Sequence, residues 1–345
     1  MIWNPFKTIS GRFLGIDIGT YSIKIVELSQ IGKRKKLENY GEMSAVALYE
    51  KPFRTFDKST LTISSAEVGK AIRAIIQEAK IKNRKAYFSI PDFSSFFTTL
   101  TLPAMTQEEL PRAVRYQARQ HIPLPLSEVT LDWQVIKGGK VLLVAVPNEV
   151  VYQYQKIARD SQLELMAMEA EVFSLTRALV GQEKSPLILL DIGARSTTIS
   201  IIDQGILRSS HSFDTAGGDF TDAFSKGMNI DYKEAEELKK KEGLLSEDGR
   251  KSFVPIVDML LEETRKIAQD YFLREQRNIK KVIISGGSAQ LPGLKDHFAE
   301  GLAKTVEIAN PFDSLYYPPA LEAILKQMGP SYAIAVGTAL YGLSK

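Results

Sequence analysis

One short pattern occurs twice in the chain and constrains the fold more than any other feature. It consists of an apolar strand, the tripeptide Asp-Ile-Gly, a turn of small polar residues and a second alternating strand, at residues 13–28 and again at residues 187–202. Each copy predicts a β-hairpin with one carboxylate and one glycine at its bend. A single strand that ends in Asp and Gly is common in turns of every kind. The duplication favours two similar lobes, each with a turn able to hold an anion.

The composition restricts the class of protein. The chain has 345 residues and 44% apolar content, which is enough for two or three domains with large cores. Cysteine is absent from the sequence, which excludes disulfides, thiolate metal sites and a cysteine nucleophile and fits a reducing compartment. The net charge of +3 does not indicate nucleic-acid binding, and the basic clusters at residues 33–36 and 80–85 are typical of solvated turns.

No segment is predicted to cross a membrane, because no stretch approaches 18 uninterrupted apolar residues. The first residues lack a continuous apolar region and a cleavage site, so we do not expect a secretion signal. Trp3 and Phe6, with Lys7 and Arg12, suit contact with a bilayer interface and equally suit a flexible tail.

Hydrophobic periodicity predicts the elements around the two hairpins. The segment at residues 90–136 differs in composition, with five prolines and an aromatic cluster, and indicates an inserted subdomain. Before the insertion we expect a loop at residues 51–64, a helix from Ser64 or Ser65 with an apolar stripe, and a strand at residues 86–90. Within and after it we expect a helix at residues 106–121 capped by Thr106 and Glu109, a hairpin at residues 132–146 and a helix at residues 149–161. Further along the chain we expect a helix at residues 232–242, a loop at residues 246–252, a helix at residues 253–276 and a strand at residues 281–285.

The repeated stretches resemble a known superfamily. DIGTYSIK and DIGARSTT resemble the two phosphate motifs of the actin superfamily, which includes sugar kinases and heat-shock chaperones and holds ATP and Mg²⁺ between duplicated lobes. Further stretches follow in the expected order: MEAEVFSLTRAL (168–179) resembles the first connecting helix, VIISGGSAQLPGL (282–294) the adenosine motif and GPSYAIAVGTAL (329–340) the second connecting helix. The resemblance implies an α/β, actin-like fold with two lobes.

The inserted segment narrows the resemblance. Its spacing of prolines and its closing LDWQV strand are similar to the PilM family of type IV pilus assembly proteins and, more loosely, to the extra subdomain of the cell-division protein FtsA. One departure is Gln117, where the family resemblance leads us to expect an acidic residue. The expected domains are a first lobe at residues 1–88 that is completed by 162–185 and 330–345, an FtsA-like inserted subdomain at 89–161, and a second lobe at 186–329 with a smaller part at about 217–270.

The resemblance also implies a site for ATP and Mg²⁺ between the lobes. Asp17 and Asp191 would hold Mg²⁺ largely through water. Glu171, with Glu169 as second candidate, would position an attacking water. Whether the protein hydrolyses ATP is left open by the sequence. The two glycines that enter the helix near Asp219 would present bare N–H groups to an anion, or form a simple strand-to-helix turn. The residues expected to contact the nucleotide are Gly19, Thr20, Tyr21, Ser22, Lys24, Gly193, Ala194, Arg195, Gly217, Gly218, Glu236, Lys239, Gly286, Gly287 and Ser288.

Partners follow from the same resemblance. A cleft between the inserted subdomain and the first lobe would hold the cytoplasmic amino-terminal tail of the inner-membrane protein PilN. Phe93, Phe96, Phe97 and Leu102 would either line this cleft or form the core of the subdomain. The protein would then be cytoplasmic, lie at the inner face of the cytoplasmic membrane and couple the membrane platform to motor ATPases. The sequence leaves open whether the protein forms homo-oligomers.

Two other function classes remain at this point. An FtsA-like division filament protein would need an amphipathic membrane helix beyond the second connecting helix. A small-molecule kinase would need a dedicated general base between the lobes, for which no separate candidate is present in the sequence. No P-loop and no HExxH motif occurs in the sequence.

Overall fold

The computed structural model describes residues 11–45, 52–57, 60–136 and 139–344. The residues considered for bilayer contact, Trp3, Phe6 and Lys7, lie outside the described residues, as do the turn residues Lys137 and Gly138. No described helix combines the length and the apolar composition that a membrane span requires.

The elements are numbered in chain order. The strands are β1 (Arg12–Ile18), β2 (Ser22–Ile31), β3 (Arg34–Ser44), β4 (Arg54–Asp57), β5 (Thr60–Ile63), β6 (Lys85–Ile90), β7 (Phe96–Thr101), β8 (Val129–Ile136), β9 (Lys140–Pro147), β10 (Glu164–Ala170), β11 (Leu187–Ile192), β12 (Thr197–Asp203), β13 (Ile206–Phe213), β14 (Lys281–Ser285) and β15 (Thr305–Ile308). The helices are α1 (Ser65–Glu78), α2 (Leu110–Ala118), α3 (Asn148–Asp160), α4 (Glu171–Leu179), α5 (Gly217–Met228), α6 (Tyr232–Glu242), α7 (Glu247–Glu275), α8 (Leu294–Leu302) and α9 (Glu322–Leu343).

Two five-stranded sheets share one topology. The first has the order β10-β6-β1-β2-β3 and the second has the order β15-β14-β11-β12-β13. In each sheet the central strand, β1 or β11, pairs antiparallel with the strand that follows it and parallel with a later strand, β6 or β14. The central strands are nearly continuous apolar runs because both faces are covered. The predicted pair of similar lobes is confirmed.

Each lobe has its own core. In the first lobe, α1 and α3 bury Val68, Ile72 and Tyr154 against the sheet, and the rings of Tyr154 and Phe88 lie 6.2 Å apart. The helix α3 therefore belongs to the packing of the first lobe, although the sequence places it in the segment 89–161. In the second lobe, α5, α7 and α8 cover the sheet.

The two connecting helices cross between the lobes. Ser174 on α4 and Thr338 on α9 share a hydrogen bond of 2.8 Å. At the crossing a Cβ on Gly337 would lie 1.9 Å from the Ser174 carbonyl oxygen, so only glycine allows this approach. The first connecting helix begins at Glu171 rather than at Met168, because residues 168–170 still pair with β6.

The inserted subdomain consists of the sheet β7-β9-β8 and α2. Leu102 lies in its core, whereas Phe97 packs on Phe173 of α4 with ring centroids 6.1 Å apart. Leu142 of β9 joins the same core as Leu187 and Leu189 of the second lobe. The insertion therefore packs directly on the junction between the lobes.

Three other predictions of local structure are also wrong. The segment 51–64, expected as a loop, contains the hairpin β4–β5 in its described part. The segment 246–252 is the first part of α7, because Ser246 caps this helix by accepting the Gly249 N–H at 3.0 Å. The α-helix α2 starts later than predicted: Thr106 and Glu109 form their capping contacts, with the Glu109 N–H donating to Thr106 Oγ1 at 3.3 Å, but residues 107–109 are a turn. Pro111 lacks the N–H that would bond back to Gln107.

Candidate functional site

The carboxylates of the repeated motif have equivalent surroundings in the two lobes. Asp17 is the second-last residue of β1, and its Oδ1 accepts a hydrogen bond from Ser89 Oγ at 3.2 Å. Asp191 is the second-last residue of β11, and its Oδ1 accepts from Ser285 Oγ at 2.7 Å. Both serines are fully buried and lie on the parallel neighbour strands, β6 and β14. The sequence analysis missed these serines, although each lies near the end of a largely apolar strand.

The carboxylates of Asp17 and Asp191 are influenced by the same neighbouring charges. Burial raises the pKa of Asp17 to about 6, with Glu171 acting in the same direction and Lys24 and Arg54 opposing it. Burial raises the pKa of Asp191 to about 7; the Ser285 hydrogen bond opposes this, while the charges of Glu171 and Asp17 add to it. Each group is thus in the field of the same glutamate, and a cation placed between them would favour their ionised forms.

These residues fit a magnesium ion that keeps much of its water. Within the described ranges, no group of three or more His, Asp or Glu side chains is arranged to hold a metal ion. Mg²⁺ commonly takes one or two carboxylates, several waters and phosphate oxygens. Asp17 and Asp191 therefore suit Mg²⁺ bound together with a phosphate chain.

Glu171 is the first residue of α4 and is held from two sides. Arg54 Nη1 and Nη2 each lie 3.0 Å from Glu171 Oε1, and the Asp92 N–H donates to Oε2 at 3.2 Å. Arg54 was missed because its segment was expected to be a loop. The second candidate, Glu169, accepts from Arg177 Nη2 at 2.7 Å, and Arg177 also donates to the Gly337 carbonyl of α9 at 2.9 Å.

The two bends have the same backbone geometry. The Gly19 N–H donates to the Ser22 carbonyl at 2.8 Å, and the Gly193 N–H donates to the Ser196 carbonyl at 3.0 Å. A Cβ on either glycine would lie within 2.9 Å of that carbonyl oxygen. The glycine of the repeated motif is therefore required by the tight bend.

The glycines at the start of α5 have a different role from the one expected. The Gly217 N–H donates to the Gly193 carbonyl and the Gly218 N–H donates to the Ala194 carbonyl, both at 2.9 Å. The expectation of bare N–H groups at these two positions is therefore wrong. Glycine is needed at Gly217 because the neighbouring residues pack closely: a Cβ there would lie 2.2 Å from Ser288 Oγ.

A cleft of ≈ 530 Å³ opens between the lobes beside these bends. Among the predicted nucleotide contacts, Gly19, Thr20, Arg195 and Gly286 lie outside its lining. Residues that the sequence analysis did not select also line it, namely Glu42, Ser44, Tyr232, Lys240, Gln290, Leu291, Gln327 and Ser331. The predicted residues that line the cleft are Tyr21, Ser22, Lys24, Gly193, Ala194, Gly217, Gly218, Glu236, Lys239, Gly287 and Ser288.

Glu236 and Lys239 share one face of α6, as their spacing predicts. Lys239 is buried, and its Nζ donates to Thr221 Oγ1 at 2.8 Å and to the Gly217 carbonyl at 3.0 Å. Burial lowers the pKa of Lys239. Burial works against ionisation of Glu236, but the neighbouring Lys239 outweighs it and lowers the pKa of this carboxyl. This pair is part of the cleft wall rather than of a freely solvated face.

A second cleft, of ≈ 320 Å³, lies between the insertion and the second lobe. Phe93, Phe96 and Phe97 line it from the insertion, and Ser210 and Ser212 line it from β13. The cleft beside these phenylalanines therefore faces the second lobe, whereas the sequence analysis placed it against the first.

Comparison with solved structures establishes the fold. The chain aligns with a chain of a PilM–PilN type IV pilus biogenesis complex at a TM-score of 0.81 and 24% identity, covering 96% of this chain and 98% of that one. It aligns with MreB 5 of Spiroplasma citri, a structure bound to AMPPNP, at a TM-score of 0.52 and 14% identity, with 96% of each chain covered. The predicted actin-like α/β fold is confirmed.

Sequence comparison gives the family. The cell division protein FtsA of Enterococcus faecalis is 20% identical over 353 residues, covering 88% of this chain and 79% of that protein. The sequence model of the family described as type IV pilus assembly protein PilM matches residues 15–343. Because that match extends over nearly the whole chain, the protein belongs to the PilM family of type IV pilus assembly proteins.

Proposed function

We propose that this protein is a nucleotide-dependent scaffold of the type IV pilus machinery, which binds Mg²⁺ and ATP between its lobes and the cytoplasmic tail of PilN at its inserted subdomain. The observation that carries the nucleotide part is the pair of equivalent turns, with Asp17 and Asp191 in one electrostatic site beside a glycine-lined cleft. A further support is the fold relative bound to AMPPNP.

The chain's own residues divide the work. Asp17 and Asp191 hold the ion, and Ser89 and Ser285 orient their carboxylates. Bound Mg²⁺ supplies positive charge that offsets the charge of the phosphates. Tyr21, Ser22 and Lys24 line the cleft on the side of the first bend. Gly217, Gly287 and Ser288 line it where small side chains leave room for the flat base and the ribose.

Glu171 is the candidate for positioning a water at the phosphates. Its carboxylate is buried. Oε1 accepts from both terminal nitrogens of Arg54, and Oε2 accepts from the Asp92 N–H, which leaves Oε2 one lone pair for a water. A water held for in-line attack needs a free acceptor in a fixed orientation. This arrangement favours slow hydrolysis and a role for ATP as a conformational ligand that stabilises the closed lobes through differential affinity.

The partner proposal rests on the family and on the second cleft. A solved complex of the family contains PilN. The cleft beside Phe93, Phe96 and Phe97 combines aromatic side chains with hydroxyl groups of β13, which suits an extended peptide with apolar anchors. Binding to the tail of an inner-membrane protein would place this chain on the cytoplasmic face of that membrane and next to the motor ATPases.

The nucleotide proposal is tested by filling the cleft. A Cβ on Gly287 would meet no atom within 4 Å, so Gly287→Leu adds bulk beside the cleft without a backbone clash. We expect wild-type protein to bind ATP in the presence of Mg²⁺ by calorimetry and Gly287→Leu to lose at least tenfold in affinity, with Gly287→Ala close to wild type. Equal affinity of the leucine variant and wild type would place the nucleotide elsewhere.

The partner proposal is tested with a synthetic peptide that carries the cytoplasmic tail of PilN from the same organism. Fluorescence polarisation, with and without Mg²⁺ and ATP, should detect binding that Phe93→Ala weakens. Tyr152→Ala is the matched control, because this tyrosine is 65% exposed on α3, outside the cleft. If both variants bind the peptide like wild type, the tail docks on another surface.

A further inference from the structure

We propose that Asp92 and Glu171 form a reciprocal clamp that transmits nucleotide occupancy from the site between the lobes to the inserted subdomain. The inference rests on the proposed binding of nucleotide and concerns how that same site is coupled to the rest of the molecule. It assigns a role to Asp92, which lies outside the repeated motif and outside the lining of the cleft between the lobes, and which contributes to the lining of the second cleft.

The clamp consists of two hydrogen bonds that run in opposite directions. The Asp92 N–H donates to Glu171 Oε2 at 3.2 Å, and the Val172 N–H donates to Asp92 Oδ1 at 3.1 Å. Asp92 begins the single helical turn Asp92–Ser94, with which the inserted segment starts, and Glu171 and Val172 begin α4. Both carboxylates are buried, with 3% and 7% exposure. The first turn of the insertion is thus fastened to the first turn of a connecting helix.

The input side of the clamp faces the candidate metal site. Glu171 acts on the charge state of both Asp17 and Asp191, so its carboxylate lies in the field of any ion held there. Arg54 holds its other oxygen, and the neighbouring Phe53 N–H donates to the Thr20 carbonyl of the first bend at 2.8 Å. A divalent cation attracts the Glu171 carboxylate, whereas the ionised aspartates alone repel it. Ligand binding therefore changes the relative energy of clamp geometries.

Asp92 carries a feature that a purely structural clamp would not need. Its Oδ2 is buried and, within the part of the chain that the structure describes, has no hydrogen-bond partner. A buried carboxyl oxygen without a partner lowers stability. Burial, together with the charge of Glu171, raises the pKa of Asp92 well above its usual range. Most buried polar atoms in native proteins have a partner, so this oxygen calls for a functional explanation.

The output side lies in the strand that follows the clamp. Residues 96–101 form β7, which pairs with β9, and the turn at 92–94 and β7 both pack on β13 of the second lobe. Phe97 of β7 also packs on Phe173, two residues beyond Glu171. A shift of Asp92 relative to α4 must therefore move β7 against the second lobe, beside the cleft proposed for the peptide.

Hydrogen–deuterium exchange of the full chain tests the clamp, with and without ATP and Mg²⁺. The matched variants are Asp92→Ala, which removes the acceptor of the Val172 N–H, and Asp92→Asn, which keeps it. For wild type we expect nucleotide to change exchange at residues 95–101 at least fivefold. Asp92→Asn should keep this response, and Asp92→Ala should reduce it below twofold while binding ATP within threefold of wild type.

The outcomes separate the two proposals. An Asp92→Ala protein that keeps the full response overturns the clamp, as does a wild-type protein that binds ATP without any change at residues 95–101. A wild-type protein that binds no ATP overturns the proposed function, and the clamp with it. Should Asp92→Ala fail to fold, Asp92→Leu replaces it: its side chain fills a similar volume and cannot accept from the Val172 N–H, and a full response in that variant overturns the clamp.

Discussion

The two acidic bends have the same internal structure and different surroundings. In both, a glycine closes the hairpin and a buried serine on the parallel strand holds the aspartate. The first bend, however, is next to two cations, Lys24 and Arg54, and leads to the insertion. The second is packed against the glycines at the start of α5 and against Gly286, which follows β14. Duplication thus supplies the symmetric frame, and the local environment gives the first bend charge compensation and the second bend space for a ligand.

The largest expected effect comes from removing the cation beside the first bend. Arg54→Met leaves the buried Glu171 without its cationic partner, which we expect to cost about 4 kcal/mol of unfolding free energy at pH 8. The loss should be smaller at pH 5, because the neighbouring carboxyls can then take up protons. Denaturant unfolding at both pH values measures this difference.

The double variant Arg54→Met/Glu171→Gln is the control for that prediction. Removing the stranded charge should recover a large part of the stability. If the double variant is no more stable than Arg54→Met alone, the ion pair is not the reason for the loss.

The second bend should be more sensitive to added volume. Gly286 has φ of +91°, and a Cβ there would lie 2.3 Å from the Ile192 carbonyl oxygen. Gly286→Ala should therefore cost roughly 3 kcal/mol in thermal or denaturant unfolding, from backbone strain and overpacking. Gly287→Ala, one residue further in open space, should be nearly neutral. Similar stabilities for the two variants would contradict the close packing inferred for this bend.

Without Mg²⁺, Asp17 and Asp191 should lower the free energy of unfolding by different amounts. A carboxyl whose folded pKa is raised contributes stability that is lost as pH rises through that pKa, here between about pH 4 and 7 for Asp191. At pH 8 without Mg²⁺, Asp191→Asn should stabilise the protein by on the order of 1–2 kcal/mol. Asp17→Asn should give a smaller gain, because Lys24 and Arg54 already compensate Asp17. A destabilised Asp191→Asn protein at pH 8 would refute this assignment.

The smallest effects concern the serines. Ser285 Oγ lies 2.7 Å from Asp191 Oδ1, whereas Ser89 Oγ is shared between Asp17 Oδ1 at 3.2 Å and the Ile16 carbonyl at 3.3 Å. Ser285→Ala should cost about 1 kcal/mol at pH 8 and Ser89→Ala about half of that. Chemical denaturation of both variants measures the difference. A larger loss for Ser89→Ala than for Ser285→Ala would argue against the stronger hydrogen bond at Asp191.

Much of the frame could be predicted from the sequence, because the repeated Asp-Ile-Gly pattern, the strand periodicity and the motif order are local signals. The paired serines and Arg54 could not, since they depend on which strands become neighbours in the sheets. The bonds of Gly217 and Gly218 were missed for the same reason: a glycine pair at a helix start looks alike whether its N–H groups are free or, as here, bonded to the second bend. Residues 246–252 were predicted as a loop because Gly249 and its polar neighbours obscure the first turns of α7.

The central claim is that Asp17 and Asp191 hold one ion together with the nucleotide, and calorimetric titration of Asp17→Asn and Asp191→Asn tests it most directly. Both variants keep an oxygen that can accept from their serine, so the bends should stay intact. We predict that each variant loses at least tenfold in affinity for ATP in the presence of Mg²⁺ and binds ATP without Mg²⁺ like wild type. Wild-type affinity for ATP with Mg²⁺ in either variant would contradict the claim.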